Sequence, residues 1–129
     1  MKVFVDTNVW INYLGGRNTN KTKRLSELVE SGQPIYSLAV IIQEVLQGFK
    51  HDRDISAHVD KLEALNFLPF EFQDAIEAAK LYRSLRKQGI ASTTIDLQIA
   101  AICIRHELQL LTEDKDFSMI AEKFNFSLA

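Results

Sequence analysis

The chain encodes an α/β protein, a three-layer α/β/α sandwich around a short, mainly parallel sheet. Three observations carry that expectation. Short β-rich apolar runs alternate with longer segments whose apolar residues recur at helical spacing. One of those segments, from Ile95 to about Glu107, is nearly all apolar and suits a buried central helix. The 129 residues are 47% hydrophobic and 25% charged with two Pro and five Gly, ordinary globular composition for one domain over 1–129. Strands separated by helices pair in parallel, and helices then cover the sheet. Such a length buries roughly two-thirds of the unfolded surface, enough for a core without disulfides.

Lys2 to Val5 is the first short strand, and Asp6-Thr7-Asn8 supplies cap-forming side chains for a helix through Trp10, Ile11 and Leu14. Gly15-Gly16 ends that helix. Arg17 to Thr22 reads as a polar loop before a helix carrying Leu25, Leu28 and Val29, which Ser31-Gly32 closes. Ile35-Tyr36-Ser37 is a second strand. Leu38, Ile41, Ile42, Val45, Leu46 and Phe49 then follow the i, i+3, i+4, i+7 recurrence of an amphipathic helix. Asp54 opens another, striped by Ile55, Val59, Leu62 and Leu65. Pro69 has no N–H for a ladder, so Phe67-Leu68-Pro69-Phe70 is an edge strand at most. Ala75, Ala78, Ala79, Tyr82 and Leu85 mark a long helix from about Gln73 to Gln88, ended by Gly89, with Lys80, Arg83, Arg86 and Lys87 on its other side. Thr93 and Thr94 precede the apolar helix, in which Ala100-Ala101 argue against a strand. Leu108 to Leu111 is a strand, Phe117 to Phe124 a short helix, and Phe126 to Leu128 a last strand.

Charge and cysteine content narrow the function classes. Seventeen acidic against fifteen basic residues give a net charge of −2, so no global positive field attracts nucleic acid and any such partner must be held locally. The N-terminus meets Asp6 after three apolar residues, too soon for a signal sequence, and the longest apolar run, Ile99 to Ile104, falls far short of the ~18 residues a membrane span needs. A soluble cytoplasmic protein is expected. Cys103 stands alone within Ile102-Cys103-Ile104, as a small core hydrophobe would.

In open parallel sheets, sites gather where strand carboxyl ends meet helix N-termini. Asp6 ends the first strand, Asp114 and Asp116 follow the strand at 108–111, Asp96 opens the apolar helix, and Glu44 lies in the helix after the second strand. Carboxylates crowded together repel unless protons or a cation neutralise them, and hard oxygen donors suit Mg²⁺. His51, His58 and His106 lack zinc-ligand spacing. Each acid also has a plain structural role on offer. Asp6 can cap a helix, Asp96 can complete a capping box with Thr93, Glu44 can face solvent, and Asp114 and Asp116 can form a turn.

These residues, taken in order, resemble a known family. Val5-Asp6-Thr7-Asn8, Glu44 within Ile42-Gln43-Glu44-Val45, Asp96-Leu97-Gln98-Ile99-Ala100-Ala101 and Leu111-Thr112-Glu113-Asp114-Lys115-Asp116-Phe117 are similar to the successive motifs of PIN-domain ribonucleases, particularly VapC-type toxins. The resemblance runs the length of the chain. It implies a Mg²⁺-dependent endoribonuclease, with Mn²⁺ able to substitute, in which Asp6, Glu44, Asp96 and Asp114 are catalytic and bind metal, with Asp116 as a second candidate for the fourth position. It also implies an RNA substrate, a small antitoxin protein as partner, and a homodimer. Phosphate-holding cations are sought at Arg17, Lys21, Lys23 and Arg24 or on the Lys80, Arg83, Arg86, Lys87 face, with single-stranded or loop RNA favoured over duplex. Trp10 and Tyr13 are candidates for base stacking, Trp10 being better suited to the core. Two rival readings are an aspartyl-phosphate phosphatase and a catalytically silent PIN-like scaffold. The first wants a second Asp two residues after Asp6, where this chain has Asn8.

Overall fold

The structure, a computed structural model, describes residues 2–129. The described residues form four strands and seven helices: β1 (Val3–Val5), α1 (Thr7–Leu14), α2 (Asn20–Glu30), β2 (Ile35–Ser37), α3 (Ala39–Gln47), α4 (Asp52–Glu63), β3 (Asn66–Phe67), α5 (Phe72–Lys87), α6 (Thr94–His106), β4 (Gln109–Leu111) and α7 (Phe117–Phe124). The sheet order is β3-β2-β1-β4, and all three pairings are parallel. The chain steps outward from β1 to β3 and then returns to β4 on β1's other side. Right-handed crossovers therefore put α1 to α4 on one face of the sheet and α5 and α6 on the other. Val3, Phe4 and Val5 are fully buried on both faces, as a central strand of such a sandwich requires. Burying side chains of this size stabilises by roughly 1.5–3 kcal/mol each.

Local chemistry sets the boundaries. Helix α2 starts earlier than the polar composition of 17–22 suggests, because Thr19 and Thr22 form a capping box that converts the polar stretch into a first turn. Helix α4 likewise begins at Asp52, two residues before Asp54, where both carboxylates meet the positive end of the helix. Gly16 lies in the left-handed region at φ 75°, a conformation that reverses the chain after α1 with little steric cost only for glycine. The expected last strand, Phe126 to Leu128, does not form. That segment makes one parallel bridge, Leu110 to Leu128, held by Leu110 N–H to Ser127 O at 2.9 Å and Ala129 N–H to Leu110 O at 2.8 Å. The segment follows a left-handed Asn125 that turns the chain out of α7, and it meets β4 only at Leu110. Strand β3 has two residues and lies at the sheet edge, as Pro69 demanded.

Helices α5 and α6 are clamped by a charge pair. Asp74 is buried, and Arg105 donates to both of its oxygens, Nε to Oδ1 at 2.7 Å and Nη2 to Oδ2 at 3.0 Å. Oδ2 also accepts the Glu71 N–H at 2.9 Å, so one carboxylate starts α5 and ties it to α6. No described helix is long and apolar enough to cross a membrane.

Candidate active site in the crevice between β1 and β4

The strand order reverses between β1 and β4, which opens a crevice at their carboxyl ends. Asp6 stands there. Its N–H donates to Leu111 O at 2.9 Å, joining the two strand ends, and its carbonyl accepts from Val9 and Trp10 in the first turn of α1. Its side chain is buried and meets only neutral donors, with the Thr7 N–H on Oδ1 at 2.7 Å and the Thr112 hydroxyl on Oδ2 at 2.7 Å. The cap of α1 is thus a carboxylate buried at the mouth of the crevice. Burial raises the Asp6 pKa from 3.8 to about 6; hydrogen bonds from Thr112 and Thr7 oppose the rise, and the negative charges of Asp96 and Asp114 add to it.

Thr112 links Asp6 to the following loop. Its hydroxyl accepts the Asp114 N–H at 3.0 Å, and Asp114 Oδ1 accepts the Asp116 N–H at 2.9 Å. Asp114 is half-buried, whereas Asp116 is exposed at the start of α7 and makes no side-chain cap there. Asp96 lies in the first turn of α6, where Oδ2 accepts the Thr93 N–H at 3.0 Å in the expected capping box. Its other oxygen is not used by that box. Glu44 sits beside the buried Ile41 and Val45 stripe of α3 without belonging to it, and it is not simply solvated: the Thr7 hydroxyl donates to Oε1 at 2.8 Å.

The structure thus places Asp96 and Asp114 each within electrostatic reach of Asp6, attaches Glu44 through Thr7, and leaves Asp116 at the surface. Among the described residues no three Asp, Glu, His or Cys side chains are drawn together tightly enough to hold an ion by themselves. That arrangement suits a hard cation that keeps several of its waters and takes one or two carboxylates directly. Cys103, behind Asp6, is fully buried, and burial holds its thiol protonated. Trp10 is in the core, only 2% exposed.

Three residues have a role here that the sequence does not reveal. The Glu113 N–H donates to Asn8 Oδ1 at 3.1 Å, and its Oε2 accepts from Asn12 Nδ2 at 3.0 Å and from the Thr19 hydroxyl at 2.7 Å. Glu113, Asn8 and Asn12 brace the acid-bearing loop after β4 against α1 and the α1–α2 loop. Asn8, in the first turn of α1, therefore braces the loop after β4 against the helix, and the cap of α1 is Asp6. The partners lie 94 to 105 residues apart, so no local pattern reveals them.

Comparison with known proteins places the fold in a family. The model of the PIN domain matches residues 3–123. Ribonuclease VapC11 of Mycobacterium tuberculosis is 30% identical over 133 residues, an alignment covering 98% of this chain and 97% of the relative. The chain belongs to the PIN-domain family. Within it, the curated relatives it matches include VapC ribonucleases. Solved structures show the same fold at lower identity. VapBC2 from Rickettsia felis, bound to a DNA fragment from its promoter, gives a TM-score of 0.79 at 20% identity, covering 100% of this chain and 98% of that one. DNA-bound VapBC from Salmonella typhimurium gives 0.80 at 18% identity, covering 100% and 97%.

Proposed function

We propose that the chain is a Mg²⁺-dependent endoribonuclease acting as the toxin of a type II toxin–antitoxin pair. The observation that carries this reading is the buried Asp6 carboxylate in the β1–β4 crevice, which meets neutral donors and feels two further negative charges. Such a group is costly to ionise unless a cation joins it. The VapC names of its relatives support the same activity.

Asp6 and Asp96 are the direct ligands in this proposal, and Asp114 is the fourth acid, preferred over the exposed Asp116. When bound, Mg²⁺, or Mn²⁺ in its place, makes a water more acidic and offsets charge on the departing oxygen of the phosphodiester. Thr112 holds Asp6 and the Asp114 backbone in one orientation through a single hydroxyl. Thr7 fixes Glu44 by Oε1, which leaves Oε2 to accept a proton from, or orient, the attacking water. Asn8, where an aspartyl-phosphate phosphatase would need its second Asp, is engaged by the Glu113 N–H, so that chemistry gains no support.

The proposed partners are RNA, a second copy of the chain, and a small antitoxin, since the structural neighbours include toxin–antitoxin complexes. The deciding experiment maps cleavage ends on total RNA with the parent chain beside Asp96→Asn. Discrete Mg²⁺-dependent ends, absent with Asp96→Asn and with EDTA, are expected. Equal cleavage in EDTA would overturn the metal mechanism. Growth arrest on expression, relieved by the antitoxin gene, tests the toxin role.

A further inference from the structure

We propose that the polar groove between the end of α1 and the first turns of α2 is a subsite for the sugar–phosphate backbone of single-stranded RNA, next to the bond being cut. This rests on the ribonuclease reading and adds to it a specific surface. The groove has a volume of about 640 Å³ and is lined by Tyr13, Arg17, Asn18, Thr19, Lys23 and Ser26, among others. That is ample for a nucleotide unit.

Three features separate it from an ordinary surface cleft. First, it is coupled to the acid site. Arg17 Nη1 donates to Asn12 Oδ1 at 3.0 Å, and Asn12 and Thr19 both donate to Glu113, the residue between Thr112 and Asp114. The wall of the groove and the acid-bearing loop are therefore one hydrogen-bonded assembly. Second, its cations are uncommitted. Among the described residues neither Arg17 nor Lys23 forms an ion pair, and the partner of Arg17 is a neutral amide that leaves other guanidinium donors available. Third, hydroxyl and amide side chains surround those charges, offering hydrogen bonds to phosphate oxygens and 2′-hydroxyls without reading a base.

A polyanion entering a crevice that holds several carboxylates needs compensating positive charge close by. The α5 face supplies it less well. Lys80 lies 3.7 Å from Glu77, Arg86 donates to the Tyr82 hydroxyl at 2.8 Å, and the helix belongs to the opposite layer from α1 and α2. The structure thus favours the α1–α2 cations over the α5 face, which the sequence already suits better to a solvated helix face.

The test uses the full chain carrying Asp96→Asn, so that RNA is bound and not consumed, and a fluorescein-labelled single-stranded RNA of about 12 nucleotides read by anisotropy in Mg²⁺. Arg17→Ala with Lys23→Ala should weaken binding about 5- to 20-fold at low salt. The slope of log K against log salt should fall by about 1.4, the value for two phosphate contacts on a single strand. Lys80→Ala with Lys87→Ala should stay within about twofold. All four side chains are exposed, and a melting curve verifies folding. The proposal is overturned if the Arg17/Lys23 variant binds like its parent, if the α5 variant loses as much, or if the parent does not bind RNA. Cleavage by the chain with Asp96 intact is scored separately. RNA binding that depends on Arg17 and Lys23 without any cleavage would sink the ribonuclease reading and leave the subsite standing; cleavage unaffected by their loss would do the reverse.

Discussion

Among the described residues two aspartates are buried, and their surroundings differ in sign. Asp74 receives both arms of Arg105 and one backbone N–H, so its charge is matched where it lies. Asp6 receives a backbone N–H and a hydroxyl, and the charges near it are negative. A matched buried carboxylate holds helices together. An unmatched one stores unfavourable energy that a ligand of opposite charge can release, which is how a fold keeps a place for a cation. Burial alone does not distinguish the two; the identity of the neighbours does.

Replacing each aspartate should therefore give opposite phenotypes. Asp6→Asn is expected to reduce Mg²⁺-dependent RNA cleavage by at least about 100-fold, or about 2.7 kcal/mol of transition-state stabilisation, while the melting temperature holds or rises. Asp74→Ala should do the converse, costing about 2–4 kcal/mol in urea unfolding because Arg105 loses its partner, with cleavage per folded molecule within about twofold of the parent. A stable Asp74→Ala protein, or an Asp6→Asn protein that unfolds readily, would erase the contrast.

Proton linkage sharpens it. Because Asp6 titrates near 6 when folded against 3.8 ordinarily, the metal-free folded chain binds more protons than the unfolded chain between those values. Stability contributed by this group is greatest below about pH 4, falls as pH rises to about 6, and stays low above it. The shift of about two units amounts to about 3 kcal/mol. Unfolding measured in EDTA should show this loss in the parent and not in Asp6→Asn, and Mg²⁺ at neutral pH should restore it in the parent alone. The smallest effect belongs to Thr112→Val. Losing its hydroxyl removes a bond that lowers the Asp6 pKa, so the acid limb of the cleavage profile should move to higher pH, at a stability cost of about 1 kcal/mol.

How much of this was legible depended on the sequence distance of the cause. Ile35 to Ser37 and Phe117 to Phe124 were readable to the residue, because strand alternation, helical spacing and capping act within a few positions. Asp6 and Asp96 were readable as caps and as candidate ligands together, and the structure gives both the capping contacts. The Asp74 to Arg105 clamp was not readable, since the two residues are 31 apart and each looks like an ordinary charge on a helix face. Glu113 escaped notice because it sits among other acids in a turn, where its distant donors leave no periodic trace. Phe126 to Leu128 misled in the other direction: its composition favours a strand, but one bridge is all the geometry permits.

That single bridge has a consequence for the molecule as a colloid. Strand β4 ends the sheet on its side, and a bare strand edge is a template on which identical chains can stack. The terminal segment occupies the Leu110 N–H and C=O that such stacking would use. On the far side, a two-residue strand followed by Leu68 and Pro69 offers little to copy. Both flanks thus offer little backbone on which fibril-like growth could start.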